Sequence, residues 1–474
     1  MIRVISLFLI LFSSVAVMAQ SGRVPPNSPD RFDTPALVGE LTLKQMFDEA
    51  NGYLKAKAIE YDAKKIVFNE RVLKQSQLEQ RQLSAKYAAM ATQRKDLVGD
   101  DFYYLGMLYW IAENLDGTAD NLRNFIAFDG LSPDRRQTAR SIVVVVLAKQ
   151  KKLADAEHLL AEYLKSEPKK LAERAKMEGE LAKAYQAQKD FARMAPHADE
   201  DFKVAKLMLN EPSLKNRVLD EIFDAGLLVF EAYRELGNQK NAETALEDLR
   251  VVAAATSSTD LYYYSVDQRV KYLIETGRKP QAQEYFLTSV IKAEKAFDSA
   301  ALRTDVISRL KKREKHYKLL GEPAPELQMI DQWFPGEQKS FANMKGKVIL
   351  LDFWATWCGP CYEAFPLLKE WHQDHSREGL VILGVTKYYG RVNSVAADNL
   401  GEIESLKRFR ETQKLPYDFV VAKDASSQLL YGATALPTTI LIDRKGVIRY
   451  AESGTSQVRL AQIREMVLKL LAEK

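Results

Sequence analysis

The stretch VILLDFWATWCGPC at positions 348–361 decides the fold of the C-terminal part of this chain. Its apolar first half predicts a buried β-strand, and Gly359 and Pro360 mark a turn into a helix. Cys358 and Cys361 are the two cysteines of the sequence. A thiol at the first turn of a helix faces unpaired N–H groups and the positive end of the helix dipole. We therefore expect a lowered pKa for Cys358, which would attack, while Cys361 would close a disulfide with it.

The bulk composition is that of a globular protein with several domains. The chain has 474 residues, of which 46% are hydrophobic and 28% are charged. This length predicts two or three domains. The 68 Lys and Arg residues exceed the 64 Asp and Glu residues by only four. A charge balance this even predicts a mixed solvated surface and argues against a nucleic-acid footprint.

The N-terminal residues have the pattern of a secretory signal peptide. Arg3 precedes an apolar stretch over 4–17, and Ala19 offers a small residue for cleavage. The alternative is an uncleaved membrane anchor, but the stretch is shorter than the roughly 20 residues that span a bilayer. We expect a signal peptide over 1–19, a disordered Pro-rich leader over 20–40, and an exported protein in the periplasm or another extracytoplasmic compartment. A single cysteine pair in an exported protein favours redox turnover over structural cross-linking.

Residues 41–320 are predicted to be α-helical, beginning behind a Thr42 cap. Tyr-Gly-Ala patterns suggest related helix pairs: one includes Gly237 and Ala242, and another includes Gly277 and Ala282. The segment resembles a tetratricopeptide-type array, in which small residues let two helices approach closely. These two alanines are 40 residues apart, whereas the standard repeat has about 34 residues. We therefore predict an irregular, TPR-like domain, and the alternative is a helical bundle without a ligand groove.

The pattern changes in residues 321–474. The stretch GEPAP at 321–325 ends the preceding helix, because its two prolines cannot continue it. Strand patterns and helix patterns then alternate, and the DRKG turn at 443–446 predicts a hairpin. The predicted strands are Val348–Phe353, Leu380–Thr386, Phe419–Val421, Thr439–Ile442 and Val447–Glu452, and the predicted helices are 361–376, 402–413, 425–431 and 457–472. This alternation predicts an α/β domain with a mixed sheet covered by helices.

Several motifs at matching separations give residues 321–474 a resemblance to a known family. They are the GEPAP lead-in, the KGKV approach to the strand at 345–348, the FWATWCGPC stretch at 353–361 and the LPTT stretch at 436–439. The segment is similar to the exported TlpA/ResA-like thiol–disulfide oxidoreductases with a thioredoxin fold. The whole chain is thus expected to be multidomain, with an all-α, TPR-like region before an α/β thioredoxin domain.

The resemblance implies roles for the residues of these motifs. Cys358 would be the partly exposed nucleophile, and the more buried Cys361 would resolve the mixed disulfide. Pro437 matches the family's cis-proline, which leaves a backbone edge free to pair with a client peptide; the alternative is a trans proline at the start of a strand. The expected substrate-binding residues are Trp357, Gly359, Pro360, Leu436 and Pro437.

Asp352 precedes Cys358 by six residues, where thioredoxins keep a buried carboxylate. Burial raises the pKa of a carboxyl group, so Asp352 could take the proton of Cys361 near neutral pH. Many TlpA-like relatives carry Asn at this position. The alternative is an Asp exposed to water at the end of the strand. We therefore count Asp352 with Cys358 and Cys361 as the predicted catalytic residues.

Other chemistries fit the sequence less well. Cys358, Cys361, His372 and His375 form a zinc-like string, but its spacings fall short of those in zinc fingers. Phosphate loops and dinucleotide fingerprints are missing from the sequence. We therefore predict no metal and no bound cofactor. A static disulfide remains the structural alternative for the cysteine pair.

Taken together, the sequence predicts an exported enzyme that exchanges dithiol for disulfide with client proteins, with the Gly-Pro dipeptide and Asp352 favouring a reductase. The resemblance implies a membrane thiol-transfer protein as electron donor, and apocytochromes awaiting haem or wrongly oxidised exported proteins as clients. A disulfide oxidase or isomerase would share the same residues. A further alternative is a helical adaptor whose thioredoxin domain serves only for binding.

Overall fold

A computed structural model of the protein describes residues 41–67, 69–128, 132–211 and 215–473. The predicted signal peptide and leader lie outside the described residues. The chain forms two compact units, divided between Asn121 and Leu122. The predicted domain boundary at 320/321 differs from this division, because it separates the helices from the strands. It stays a prediction. Within the described ranges, no helix combines the length and apolar character needed to cross a membrane.

The first unit is helical over its described residues. Thr42 caps the first helix as predicted: its Oγ1 accepts the N–H of Gln45 at 3.2 Å, and the Gln45 Oε1 accepts the N–H of Thr42 at 2.9 Å. Met46 and Ala50 then face a core that includes Leu108. The helices are α1 Leu43–Ala63, α2 Glu70–Thr92, α3 Asp100–Ile111 and the start of α4 Leu115–Ala127.

The second unit begins with a further series of helices. They are α5 Pro133–Lys149, α6 Leu153–Lys165, α7 Leu171–Gln188, α8 Phe191–Met208, α9 Lys215–Glu235, α10 Gln239–Ala255, α11 Thr259–Glu275, α12 Lys279–Ala296 and α13 Ala300–Leu319. The predicted all-helical character is confirmed. Even the β-prone run 143–146 is helical, because its four valines are buried within α5.

The TPR-like relation of the helix pairs stays a prediction, and the small residues on which it rests are placed as follows. Ala156, Ala242 and Ala282 are fully buried. Gly237 and Gly277 turn the chain between the helices with φ values of +70° and +77°. Residues with a Cβ rarely adopt this conformation, which favours glycine at the end of a helix.

The C-terminal part of this unit is the predicted α/β fold with a mixed six-stranded sheet. The strand order is β1-β6-β3-β2-β7-β8. β2 runs parallel to β3 and antiparallel to β7, and β8 forms one edge. The elements are β1 Ile330–Phe334, β2 Val348–Phe353, α14 Phe365–His375, β3 Leu380–Lys387, β4 Arg391–Val392, β5 Val395–Ala396, α15 Asn399–Thr412, β6 Asp418–Ala422, α16 Ser426–Leu430, β7 Thr438–Ile442, β8 Ile448–Ser453 and α17 Gln457–Ala472.

Most predicted elements of this part are present, and two kinds of prediction were wrong. The sequence patterns did not reveal β1 or the short hairpin of β4 and β5. The stretch IDQWF of β1 has no apolar run, and β4 and β5 have only two residues each. The helix predicted over 361–376 begins later, at Phe365, behind a short 3-10 turn at Gly359–Glu363. Pro366 has no N–H to donate and fits the first turn of this helix.

Candidate active site

The two cysteines lie just beyond the end of the central strand β2. They form a disulfide, with their Cα atoms 5.4 Å apart. Cys358 precedes the 3-10 turn, and the N–H of Cys361 donates to the carbonyl of Cys358 at 3.0 Å. The expected position at the first turn of an α-helix is therefore corrected to the start of a 3-10 turn.

Burial of the two cysteines follows the predicted order but not the predicted degree. Cys361 is completely buried, and Cys358 is 4% exposed in this disulfide form. The expectation that Cys358 is partly exposed was thus wrong here. Cys358 belongs to the same buried cluster as Trp354 and Phe365, whose rings meet edge to face with centroids 5.6 Å apart.

Pro437 comes to the same end of the sheet as the cysteine pair. Thr438, the first residue of β7, lies opposite Phe353, the last residue of β2. The peptide bond between Leu436 and Pro437 is cis, as predicted. Pro437 is buried and Leu436 is half-buried. The carbonyl of Pro437 accepts the N–H of Gly454 at 2.6 Å, which ties this loop to the residue after β8.

Asp352 is buried inside the sheet, as predicted. It is 2% exposed, and its Oδ2 has no hydrogen-bond partner among the described residues. Burial alone raises the pKa of Asp352 to about 7, because the charged form loses its hydration without gaining a partner. Asp352 can therefore hold or release a proton near neutral pH. Its predicted part in proton transfer stays a prediction.

The strand pairing defines the surroundings of Asp352. Alternation along β2 places Asp352 on the same face as Leu350 and Trp354, which share a hydrophobic cluster with Cys361. Gly384 of β3 is paired with Asp352. A Cβ at Gly384 would lie only 3.0 Å from the Trp354 Nε1. The glycine therefore makes room for the indole beside the carboxylate.

An exposed rim surrounds the cysteine turn. Trp357 is 52% exposed, and Gly359 and Pro360 are also exposed. Tyr389 meets Trp357 edge to face with centroids 5.4 Å apart, and the Arg391 guanidinium lies 5.8 Å from the Trp357 ring centroid. Sequence reasoning missed Tyr389 and Arg391. Their position just after β3 could have indicated them, since ligands of parallel sheets collect at the carboxyl ends of strands.

Glu402 holds the loop that carries Tyr389. Its carboxylate accepts the backbone N–H of Tyr389 at 2.9 Å and that of Gly390 at 2.6 Å. Glu402 is 5% exposed, so it is a buried acceptor at the start of α15. Two such bonds to one charged group fix the loop beside Trp357. No motif or spacing in the sequence indicated this contact.

The described ranges contain no candidate metal site. No three His, Cys, Asp or Glu residues there are grouped so that they could hold one. Both sulfur atoms of the zinc-like string are instead joined in the disulfide.

These features together define a class of protein. A central strand leads into a two-cysteine turn, a cis-proline directly precedes the neighbouring strand, and the central strand carries a buried carboxylate. This is the redox site of a thioredoxin-like fold.

Comparisons with known proteins agree with this class. The model of the AhpC/TSA family matches residues 320–451. The thiol-disulfide oxidoreductase ResA of Geobacillus thermodenitrificans is 29% identical over 143 residues, which cover 30% of this chain and 74% of ResA. The thioredoxin-like protein YneN of Bacillus subtilis is 29% identical over 135 residues, covering 28% of this chain and 72% of YneN. The C-terminal domain is therefore an AhpC/TSA-type, thioredoxin-like domain with ResA-like homologues, and its activity is that of a thiol–disulfide oxidoreductase.

Solved structures similar to this chain include a thiol-disulfide isomerase from Corynebacterium glutamicum, with 21% identity and a TM-score of 0.27. It matches 32% of this chain and 98% of its own. A thioredoxin-family thiol:disulfide interchange protein from Chlorobium tepidum has 22% identity and a TM-score of 0.26, over 32% of this chain and 97% of its own.

Proposed function

We propose that this protein is an exported reductase of protein disulfides that works through Cys358 and Cys361. The observation that carries the proposal is the buried, unpaired Asp352, with a pKa of about 7, on the sheet face that shares a core with Cys361. A carboxyl group with this pKa can accept a thiol proton at neutral pH and return it. A static disulfide would gain nothing from such a group.

The reaction begins with both cysteines reduced. The Cys358 thiolate attacks one sulfur of a client disulfide; the client S–S bond breaks, a mixed disulfide forms, and one client thiolate leaves and takes up a proton. Asp352 then accepts the proton of Cys361, whose thiolate attacks the Cys358 sulfur. The mixed disulfide breaks, and the second client thiol leaves with a proton. Two electrons and two protons have passed to the client, and the protein holds the Cys358–Cys361 disulfide.

The client is presented by the rim of the site. Leu436, directly before Pro437, offers a backbone edge at the end of the sheet that carries the cysteines, and Trp357 offers an exposed apolar ring. Gly359 and Pro360 keep the turn free of bulky side chains. This arrangement suits an extended peptide segment around the client cysteine, because backbone pairing accepts many sequences.

The supply of electrons and the compartment complete the proposal. The apolar pattern over 4–17 supports export, and in an oxidising compartment a reductase needs a continuous source of electrons. We assign this role to a membrane thiol-transfer protein, which would reduce the Cys358–Cys361 disulfide after each turnover. The proposed clients are apocytochromes awaiting haem or exported proteins with wrongly formed disulfides.

The midpoint potential tests the direction of electron flow. Equilibration of the purified protein with glutathione buffers should give a value near that of thioredoxin, about −270 mV. A strongly oxidising value near that of DsbA, about −120 mV, would instead establish an oxidase and contradict the reductase.

Trapping tests the chemistry and the clients. Cys361→Ser should accumulate mixed disulfides with client proteins in cells, because the second attack is removed, and Cys358→Ser should trap none. Cys358→Ser should also lose all catalysed reduction of insulin. Full biological activity of Cys358→Ser would contradict the proposal and support the adaptor alternative.

A further inference from the structure

The edge strand β8 is bonded to α13, the last of the series of helices that precedes the sheet. We call the series α5–α13 the helical array. Arg313 of α13 donates from Nη1 and from Nη2 to the carbonyl of Ala451, each at 3.1 Å. Its Nη2 also donates to the Glu452 Oε1 at 2.8 Å. Arg313 is 6% exposed, so these bonds lie away from water. An edge strand leaves backbone groups unpaired, and here the guanidinium satisfies one of them.

This contact is part of a largely buried ion network. The Arg313 Nε donates to the Asp267 Oδ1 at 3.1 Å, and Lys271 contacts the Asp267 Oδ2 at 2.6 Å. Lys271 also bonds Glu452. Arg459 of α17 lies 3.6 Å from the Glu452 Oε2, so three cations from α11, α13 and α17 face two carboxylates from α11 and β8. Such a set joins its elements firmly, because the loss of one member leaves a buried charge unpaired.

The same helix packs against the start of the client-facing loop, which we define as residues 432–437. Gly432 has a φ of +67°, and a Cβ there would lie 3.0 Å from both the His316 Cδ2 and the Lys315 Cγ. α13 therefore lies directly behind Gly432. His316 is 2% exposed, so its ring is a fixed surface for the loop.

The orientation of His316 is set by Arg313. The Arg313 Nη1 lies 2.7 Å from the His316 Nδ1. Because a guanidinium only donates, Nδ1 must accept, and the ring proton is on Nε2. Burial and the charge of Arg313 together lower the pKa of His316 to about 4. The ring is thus neutral at physiological pH and keeps one orientation towards Gly432.

The far end of the loop is tied to β8. The N–H of Gly454 donates to the carbonyl of Pro437 at 2.6 Å, and the hydroxyls of Thr438 and Ser453 lie 2.7 Å apart. These partners follow directly after Ala451 and Glu452, which Arg313 holds. α13 therefore supports both ends of the loop, one through His316 and the other through β8.

We propose that α13 of the helical array positions the client-facing loop for disulfide exchange with peptides, with His316 as the positioning residue at Gly432. The proposal rests on the proposed function and assigns the array a part in it. A peptide client must pair with the backbone before Pro437, whereas a small disulfide only has to reach Cys358. Loss of the contact between His316 and Gly432 should therefore selectively slow exchange with peptide disulfides. A displacement of reacting groups by about 1 Å can lower a rate by up to about 10²-fold.

The test compares two disulfide probes on the full-length, reduced protein. For His316→Ala we expect the rate with insulin to fall about tenfold, by a rise in KM, as expected for a misplaced contact. The rate with the small disulfide 5,5′-dithiobis(2-nitrobenzoate) should stay within about twofold of wild type, because this probe needs no backbone pairing. Lys312→Ala, an exposed change on the same helix, is the matched control and should alter neither rate.

A second variant keeps the test valid if His316→Ala disturbs folding. Gly432→Ala should also slow the insulin reaction, because its methyl group collides with His316, and the double variant Gly432→Ala/His316→Ala should recover part of that loss. An equal loss of rate with both probes, or an unchanged rate with insulin, would overturn the proposal. So would a double variant whose loss of rate is the product of the losses of the two single variants. Wild-type protein that reduces neither probe would overturn the proposed function itself, and this proposal with it.

Discussion

Two buried aspartates in this chain have pKa values that move in opposite directions. Asp352, on the central strand, is 2% exposed, and Asp267, on α11, is 5% exposed. Burial raises the pKa of Asp352 to about 7. Burial would also raise the pKa of Asp267, but Lys271 and Arg313 bring it well below its usual range. Burial alone therefore does not decide the charge of a carboxyl group.

The difference lies in the hydrogen-bond partners. Asp267 accepts bonds from Arg313 and from the Tyr317 hydroxyl and pairs with Lys271. For Asp352, burial is the one cause of the raised pKa; among the described residues no cation acts on it, and its Oδ2 is unpaired. A paired charge joins elements, whereas an unpaired one keeps its proton available. The contact between α13 and β8 is thus built for stability, and the sheet interior near the disulfide is built for proton exchange.

The largest effect on stability is expected at the paired site. Arg313→Met removes one cation and leaves Asp267 with Lys271, and Glu452 with Lys271 and the more distant Arg459. Removing one partner of a buried ion pair costs about 3–5 kcal/mol. Urea unfolding of the oxidised protein should show this loss. Arg309→Met is the control, since Arg309 pairs on the surface with Asp260, which is 56% exposed, and such pairs contribute at most about 1 kcal/mol. Equal losses for both variants would remove the distinction between the two aspartates.

A gain in the free energy of unfolding is expected when Asp352, the unpaired aspartate, is replaced. The pKa of Asp352 is raised from 3.8 to about 7 by folding, so between these values the folded state binds more protons than the unfolded state. The stability of the wild type is therefore reduced as pH rises from about 4 to 7, and this part of its pH dependence ends above pH 7. Asp352→Asn should remove that decline. At pH 8 the variant should be roughly 2–4 kcal/mol more stable, since each pKa unit corresponds to about 1.4 kcal/mol.

The same variant should be a poorer enzyme. Without the carboxylate, insulin reduction at neutral pH should fall by roughly 10²-fold, the lower end of what general base catalysis contributes. The rise in rate near pH 7 should also disappear. Asp374→Asn, a surface change on α14, is the control for both measurements. A variant that keeps the wild-type pH dependence of stability would show that Asp352 does not titrate near pH 7.

The sequence indicated those parts of the site that depend on local pattern. β2 was predicted with its observed bounds because the stretch VILLDF, apolar except for Asp352, gives a strong signal. The cis bond at Pro437 and the burial of Asp352 followed from motifs at known separations. The degree of burial of Cys358 did not, because Cys358 packs in a cluster whose members come from several elements of the fold.

Contacts between distant segments could not be predicted. Arg313 and Glu452 are 139 residues apart, and neither lies in a recognisable motif. The sequence around Asp267 is rich in tyrosine and contains no motif. The partners of Asp267 are determined only by the packing of α11, α13 and β8. The position of Tyr389 beside Trp357 likewise depends on the loop that Glu402 holds. In each case the contact depends on neighbours that only the tertiary structure brings together.

The smallest expected effect concerns the space beside Asp352. In Gly384→Ala the new Cβ would lie 3.0 Å from the Trp354 Nε1 and 3.2 Å from a Phe419 ring atom, and both rings are fully buried. Overpacking of this kind costs about 1–3 kcal/mol. Gly359→Ala is the control for unfolding, since a Cβ at Gly359 meets no atom within 4 Å. The added methyl group should also raise the pKa of Asp352 further, because it makes the surroundings of the carboxyl group less polar. Carboxyl NMR titration of the oxidised protein measures this pKa, and a lowered value would mean that water or a polar group had entered beside Asp352 instead.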